Sequence, residues 1–113
     1  MARTLSRNDI PLLVLAVLGE GPSHGYAIAR EIERRSRALL HLNEGALYPA
    51  LKILEGEELV ESQWETLGGG PARKVYRITK TGRAHLRQKA SEWAQYREAI
   101  DTFLGGTSHA PAT

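Results

Sequence analysis

The apolar run LLVLAVL at positions 12 to 18 constrains the fold of this chain more than any other feature. A run this uniformly apolar is typical of an element buried on all sides, not of one that faces water on one side. Its leucine and alanine content favours a helix, and so does Pro11, since proline is tolerated in the first turn of a helix. The run ends at Gly19, a residue typical of helix C-termini. We therefore expect a central core helix, with a buried strand as the alternative.

Length and composition indicate one small domain. The chain has 113 residues, of which 42% are hydrophobic, so it can bury one core but hardly a second domain with its own pocket. It contains no cysteine, which excludes a disulfide framework and favours a reducing, cytoplasmic location. No stretch resembles a signal peptide or a membrane span. The formal net charge of +2 permits nucleic-acid binding without requiring it.

A second, amphipathic helix is predicted after the core run. Ser23 offers its N-cap, and Ile28 and Ile32 form its apolar stripe. Its other faces are charged. Two pairs of opposite charge stand four residues apart on them, Glu31 with Arg35 and Glu33 with Arg37.

The third predicted helix begins at Asn43, a good N-cap residue. Its apolar positions follow helical spacing and are Leu47, Leu51 and Leu54. The opposite side carries Glu44, Tyr48, Lys52 and Glu55. Pro49 stands past the first turn, where it removes the backbone bond to the Gly45 carbonyl. We expect a bend there, eased by the missing side chain of Gly45.

Two strands and a last helix complete the chain. ELVESQWET favours a strand at about residues 59 to 66, and RKVYRIT favours one at 73 to 79. The turn LGGGPA between them predicts a two-stranded hairpin. Thr79 or Thr81 starts the final helix, which stops at Gly105-Gly106, and the closing TSHAPAT is expected to be disordered.

Three helices, a hairpin and a long helix are the element order of a winged helix-turn-helix protein, in which the third helix enters the major groove. The expected fold class is mainly α with a small β-hairpin (α+β). We expect a winged helix-turn-helix DNA-binding domain at 1–79, a dimerisation helix at 80–104 and a disordered tail at 105–113. At the hairpin tip, Gly70 and its neighbouring glycines allow close approach to a phosphate, and Arg73 and Lys74 supply adjacent positive charge. Alternatively, these residues serve only the turn and solubility.

Three segments resemble the signature of PadR-type transcriptional regulators, namely HGYAIAREI, EGALYPALKILEGEELVES and GGPARKVYRITKTGRAHL. They occur in the right order, and the resemblance covers about residues 10 to 104. The chain is similar to small members that carry one helix after the winged domain. The resemblance implies a homodimeric DNA-binding repressor whose last helix forms most of the dimer interface. It also implies release from DNA by a small molecule, often aromatic, or by other stress signals.

The resemblance also implies which residues lie on DNA. It places Tyr26 near the DNA backbone and Arg73 and Lys74 at the wing, and along the groove-facing side of the third helix it places Asn43, Glu44, Gly45, Tyr48 and Lys52. Lys52 suits a phosphate better than a base, because an ammonium lacks the fork of arginine. Tyr48 is also compatible with a half-buried core position. Ala72 stands where many relatives have a basic residue, which leaves minor-groove reading by the wing in doubt. Phosphate repels Glu44 unless it accepts from a cytosine amine or caps backbone groups.

The last helix carries an apolar seam, defined by Trp93, Tyr96, Ile100 and Phe103. So small a chain offers the seam little to pack against, so we expect pairing with a second copy; the alternative is a helix folded back on its own domain. A symmetric dimer sets two recognition helices about 34 Å apart, one turn of DNA. If Trp93 lies near the two-fold axis, two indoles can flank a flat apolar effector, whereas the simpler interpretation is interface core.

Other chemistry is weakly represented. The histidines show no metal-ligand spacing, and the carboxylates near the end of the third helix lack a partner base. We expect no enzyme activity, no metal and no cofactor. Two functions stay open beside a transcriptional regulator: a protein or RNA interaction module, and a ligand-sequestering dimer. Both lack operator specificity and a steep dependence on salt.

Overall fold

The computed structural model describes residues 3–4, 8–66 and 68–105. Within these ranges the helices are α1 (Ile10–Leu18), α2 (Gly25–Arg35), α3 (Glu44–Gly56) and α4 (Lys80–Phe103). The strands are β1 (Arg3–Thr4), β2 (Ser23–His24), β3 (Leu40–His41), β4 (Val60–Glu65) and β5 (Arg73–Ile78). The expected α+β fold class is confirmed.

The apolar run forms α1, the central core helix. Pro11 lies in its first turn, and the amide of Gly19 donates to the Leu15 carbonyl at 2.8 Å where the helix ends. Its buried residues are Ile10, Val14, Leu15, Val17 and Leu18. The helix packs against α2, α3 and α4, so every other helix is positioned on it. Complete burial of a side chain such as Leu15 contributes about 1.5–3 kcal/mol relative to leaving it exposed.

The third helix begins and packs as its sequence predicts. The side-chain oxygen of Asn43 accepts a hydrogen bond from the Ala46 amide at 3.0 Å, and this satisfies a donor that the first turn would leave unpaired. The buried face consists of Leu47, Leu51 and Leu54. The helix continues through Pro49 without interruption. The bend at that proline stays a prediction.

Two details of α2 differ from the sequence-based expectation. Ser23 is not its N-cap: the residue pairs with Tyr76 as part of β2, and the extended residue His24 precedes the helix instead. The ion pair between Glu31 and Arg35 forms at 2.6 Å, but the one between Glu33 and Arg37 does not. The helix ends before Arg37, whose φ of 53° turns the chain away, and Glu33 lies 3.6 Å from His41.

The hairpin belongs to a three-stranded antiparallel sheet with the order β2-β5-β4. The sequence predicted two strands, because a two-residue strand such as β2 is too short to show alternation. The strand register and the alternation of side chains define two faces of the sheet. The inner face, turned to the core and α3, carries Val60, Ser62, Trp64, Lys74, Tyr76 and Ile78. The outer face carries Glu61, Gln63, Glu65, Arg73, Val75, Arg77 and, through its register with Val75, His24.

The last helix starts at Thr79, whose hydroxyl oxygen accepts from the Gly82 amide at 2.9 Å. Gly82 is buried against Leu59, the residue before β4, where a side chain would overlap with the Leu59 carbonyl. Leu86 packs partly against the core, and the part of α4 beyond it carries no buried hydrophobic residue. The helix stops at Leu104 and Gly105, and Gly105 has a φ of 84°. Gly106 and the predicted disordered segment TSHAPAT lie outside the described residues.

Candidate nucleic-acid interface

The outer side of α3 is exposed and polar. Tyr48 is 44% exposed and the side chains of Glu44 and Lys52 face solvent, while the opposite side packs three leucines into the core. Asn43 and Gly45 are exposed at the start of the helix. The sequence-predicted groove residues of α3 therefore share one accessible surface. Ile53, 60% exposed, borders it and was not predicted.

Tyr48 is positioned by the first residue of α2. A Cβ atom placed on Gly25 would lie 2.7 Å from Cε1 and 2.9 Å from the hydroxyl of Tyr48, so the ring lies directly against the glycine backbone. Burial raises the pKa of the nearby Tyr76, and the negative charge of Glu55 and the phenol of Tyr48 raise it further. Tyr48 is thus packed on one side and exposed on the other. It therefore has features of both predicted positions, the groove-facing one and the half-buried core one. Sequence reasoning missed Gly25, although the motif HGY contained the signal.

The N-terminal turns of α2 carry an exposed aromatic and cationic pair. Tyr26 is 52% exposed, and the guanidinium carbon of Arg30 lies 5.6 Å from the centre of its ring. Arg30 forms no ion pair within the described part of the chain. It was not among the sequence-predicted residues, but it follows Tyr26 by one helical turn and so shares its face.

The neighbouring charges of α2 neutralise one another. Glu31 accepts hydrogen bonds from Arg34 and Arg35, and these bonds lower the pKa of its carboxyl from 4.5 to about 2. Arg35 also contacts Glu20 at 2.6 Å, which ties α2 to the end of α1. These pairs leave Arg30 as the cation of the α2 surface that is available to an anion.

The two basic residues of the wing, defined as β4, β5 and their connection, lie on opposite faces. Arg73 is on the outer face, where its guanidinium contacts the Nε2 atom of His24 at 3.1 Å. Lys74 is on the inner face, where its ammonium lies 5.9 Å from the ring centres of both Trp64 and Tyr76. The two positive charges predicted to be adjacent therefore leave the strand in opposite directions, because successive side chains of a strand alternate between faces.

The glycines of the wing have separable roles. Gly68 and Gly69 have φ values of 56° and 80°, a conformation that glycine adopts readily, so the turn itself requires them. Gly70 has no such φ and lines a cleft with Glu65, Pro71 and Arg73. Of the three, Gly70 is the one whose small size is free to serve close approach of a ligand.

The apolar seam of α4 forms a second, separate exposed surface. Phe103 is 86% exposed, and the remaining exposed members are Trp93, Tyr96, Ile100 and the adjacent Leu104. The Trp93 and Tyr96 rings lie 5.8 Å apart at 34°. They also border an open groove of about 250 Å³ against the start of α1. Within one chain, the seam does not fold back onto the core.

Neither metal binding nor a membrane span is supported by the described residues. Within residues 3–4, 8–66 and 68–105, no group of three His, Asp or Glu side chains could hold a metal ion. In the same ranges, no helix combines the length and the apolar character needed to cross a bilayer.

Comparison with known proteins gives a consistent result. The sequence model of the Transcriptional regulator PadR-like family matches residues 14–88. The transcriptional regulator Rv3488 of Mycobacterium tuberculosis is 32% identical over 107 residues, covering 95% of this chain and 94% of the relative. A transcriptional regulator from Clostridium thermocellum superposes with a TM-score of 0.79 at 31% identity, covering 86% of this chain and 94% of that one. A PadR family regulator from Clostridium difficile superposes with a TM-score of 0.74 at 32% identity, covering 85% and 98%.

Proposed function

This chain belongs to the PadR-like family of transcriptional regulators, and we propose from this premise that it is a homodimeric repressor that binds operator DNA sequence-specifically. The family consists of transcriptional regulators, not enzymes, and its function implies DNA binding. We assign DNA binding to residues 1–79 and dimerisation to the helix at 80–104. Regulation of transcription requires access to DNA, and we propose a cytoplasmic location on that basis.

The proposal of DNA binding rests on the exposed side of α3. Tyr48 and Lys52 stand one helical turn apart on it, opposite buried leucines, so a helix fixed by the core presents them to a groove. Tyr48 has the polar tip and flat ring that suit a base edge, and Lys52 suits a phosphate. The side chain of Asn43 already caps α3, so we propose that Asn43 holds the N-terminal turn of the helix at the DNA. Glu44 and Gly45 complete that turn.

The backbone contacts come from three places. Tyr26 at the start of α2, Arg73 on the outer face of the wing and Lys74 on its inner face each reach a different phosphate in this proposal. Gly70 lets the wing backbone approach the duplex. Spreading these contacts over several phosphates predicts a steep dependence of affinity on salt concentration.

The seam of α4 supports the dimer. Its members are exposed within one chain, and exposed apolar surface of this kind is removed from water by pairing. A symmetric pair also accounts for specificity, because two recognition helices about one turn of DNA apart read two half-sites. We further propose that Trp93, with Tyr96 beside it, binds a small aromatic effector at this interface. The groove of about 250 Å³ beside both rings supports that role.

The proposal is tested by selecting duplexes from a random-sequence library with the full chain. Affinity for the selected sequence and for a scrambled duplex is then measured at several salt concentrations by fluorescence anisotropy. The proposal predicts a preference of at least about 10³-fold and a steep salt slope for both duplexes. Equal affinity for the two duplexes would favour an interaction module instead. Absence of DNA binding, together with ligand binding by the dimer, would favour sequestration.

A further inference from the structure

The inner face of the wing carries an exposed tryptophan that neither the core nor the apolar seam of α4 uses. Trp64 is 66% exposed on β4. It faces Lys74 across the strand pair, and the Lys74 ammonium lies 5.9 Å from the indole centre. The pair therefore offers a partner a large apolar ring with a positive charge beside it.

This pair lies on the face of the sheet that is turned to α3. Along this inner face, Ile78, Val60 and Tyr76 are buried, and Lys74 with Trp64 lies farthest from the core. The Lys74 ammonium is also 5.9 Å from the centre of the Tyr76 ring. An aromatic and cationic row therefore runs along the inner face, from the buried Tyr76 at the core end to the exposed Trp64 at the outer end.

The charge on this row indicates the partner. Lys74 forms no ion pair within the described residues, so its charge is available. Glu55, an acid close to the same face, accepts a hydrogen bond from the Ser62 hydroxyl at 2.6 Å and lies at the core end of the row. The outer end is thus cationic and aromatic, which suits a polyanion with apolar sugar faces better than a second protein surface.

We propose that the inner face of the wing binds the sugar–phosphate backbone of the operator duplex, with the Trp64 indole against a deoxyribose and the Lys74 ammonium on the adjacent phosphate. This inference rests on the proposed function and adds a DNA contact through Trp64. It requires the duplex to lie between α3 and the wing. Arg73, on the outer face, then contacts a different phosphate.

The indole of Trp64 itself provides the test. Trp93→Phe keeps an aromatic ring in the apolar seam and leaves Trp64 as the remaining tryptophan, and anisotropy first establishes the duplex concentration that saturates this variant. Quenching of the Trp64 emission by acrylamide is then measured with and without that concentration of duplex. We expect efficient quenching in the free protein and at least about twofold protection in the complex. Quenching that is equal in the two states, while anisotropy shows bound DNA, would overturn the inference and leave the proposed function intact. Protection that already exists without DNA would assign the surface to a protein contact and would also overturn it.

A substitution in the otherwise unmodified chain gives an independent readout. Trp64→Ala should weaken operator binding by about fivefold or more, as expected for removal of a well-contacted tryptophan. Gln63→Ala is the matched control, because its exposed side chain lies next to Trp64 in sequence but on the outer face. Equal, unchanged affinities for both variants would contradict the Trp64 contact. If the unmodified chain itself does not bind DNA, the proposed function is contradicted instead.

Discussion

The Tyr48 ring lies directly against the backbone of Gly25, with no room for a side chain between them: a Cβ atom at Gly25 would be 2.7 Å from Cε1 of Tyr48. The first residue of α2 therefore determines where the central residue of the proposed groove surface can lie. A side chain at Gly25 would therefore change both the packing of α2 on α3 and the proposed DNA contact of Tyr48.

Gly25→Ala should displace the Tyr48 ring and lower the preference for operator over scrambled duplex by roughly tenfold, as the loss of one base contact would. The same crowding should destabilise the fold by about 1–3 kcal/mol, measured by urea unfolding. A double-mutant cycle separates the two effects. In a Tyr48→Ala background, Gly25→Ala should leave the remaining preference unchanged. A further loss of preference in that background would show that Gly25 acts independently of Tyr48.

Lys52→Ala and Arg73→Ala should weaken binding to operator and scrambled duplex alike, because each removes a charge from a phosphate. The salt slope should become shallower by about one unit for each variant. Tyr48→Ala should instead reduce binding to the operator more than to the scrambled duplex. Anisotropy titrations over a salt series measure all three variants. Equal loss on both duplexes for Tyr48→Ala would exclude base reading by that residue.

The sequence predicted most of this architecture because its signals are local. The leucines of α3, the cap at Asn43 and the apolar α1 run each specify their own element through spacing and capping. Arg73 and Lys74 were expected together because they are neighbours in the sequence, but side chains alternate along a strand, so the two lie on opposite faces. The tight contact of Gly25 with Tyr48 joins two helices and leaves no periodic trace in the sequence. Arg30 was missed because its partner is the Tyr26 ring and not an opposite charge.

Asn43→Ala should cost about 1 kcal/mol of unfolding free energy, because it leaves the Ala46 amide without its side-chain acceptor. Asn43→Ser keeps an acceptor at this position and should restore most of that stability. Urea unfolding at fixed protein concentration measures both variants, since dimerisation links stability to concentration. If Ser and Ala variants prove equally destabilised, the stabilising role of the Asn43 side chain is not capping.

Glu31 should make the fold sensitive to acid. Its pKa is lowered from 4.5 to about 2 by hydrogen bonds from Arg34 and Arg35, so its contribution to stability is present above pH 4.5 and is lost as the pH falls towards 2. Glu31→Gln should therefore be less stable than the parent at pH 7, and the difference should shrink over that interval. Thermal unfolding at several pH values measures it. A stability difference between Glu31→Gln and the parent that is constant from pH 7 to pH 2 would contradict the lowered pKa of Glu31.

The central claim is that two copies of this chain place their α3 helices on one face of a duplex, one helical turn apart. Hydroxyl-radical footprinting of the full chain on its selected operator tests this most directly. We predict two equivalent protected patches related by a two-fold axis, with centres about 10 base pairs apart. A single protected patch, or protection that is uniform along the duplex, would contradict it.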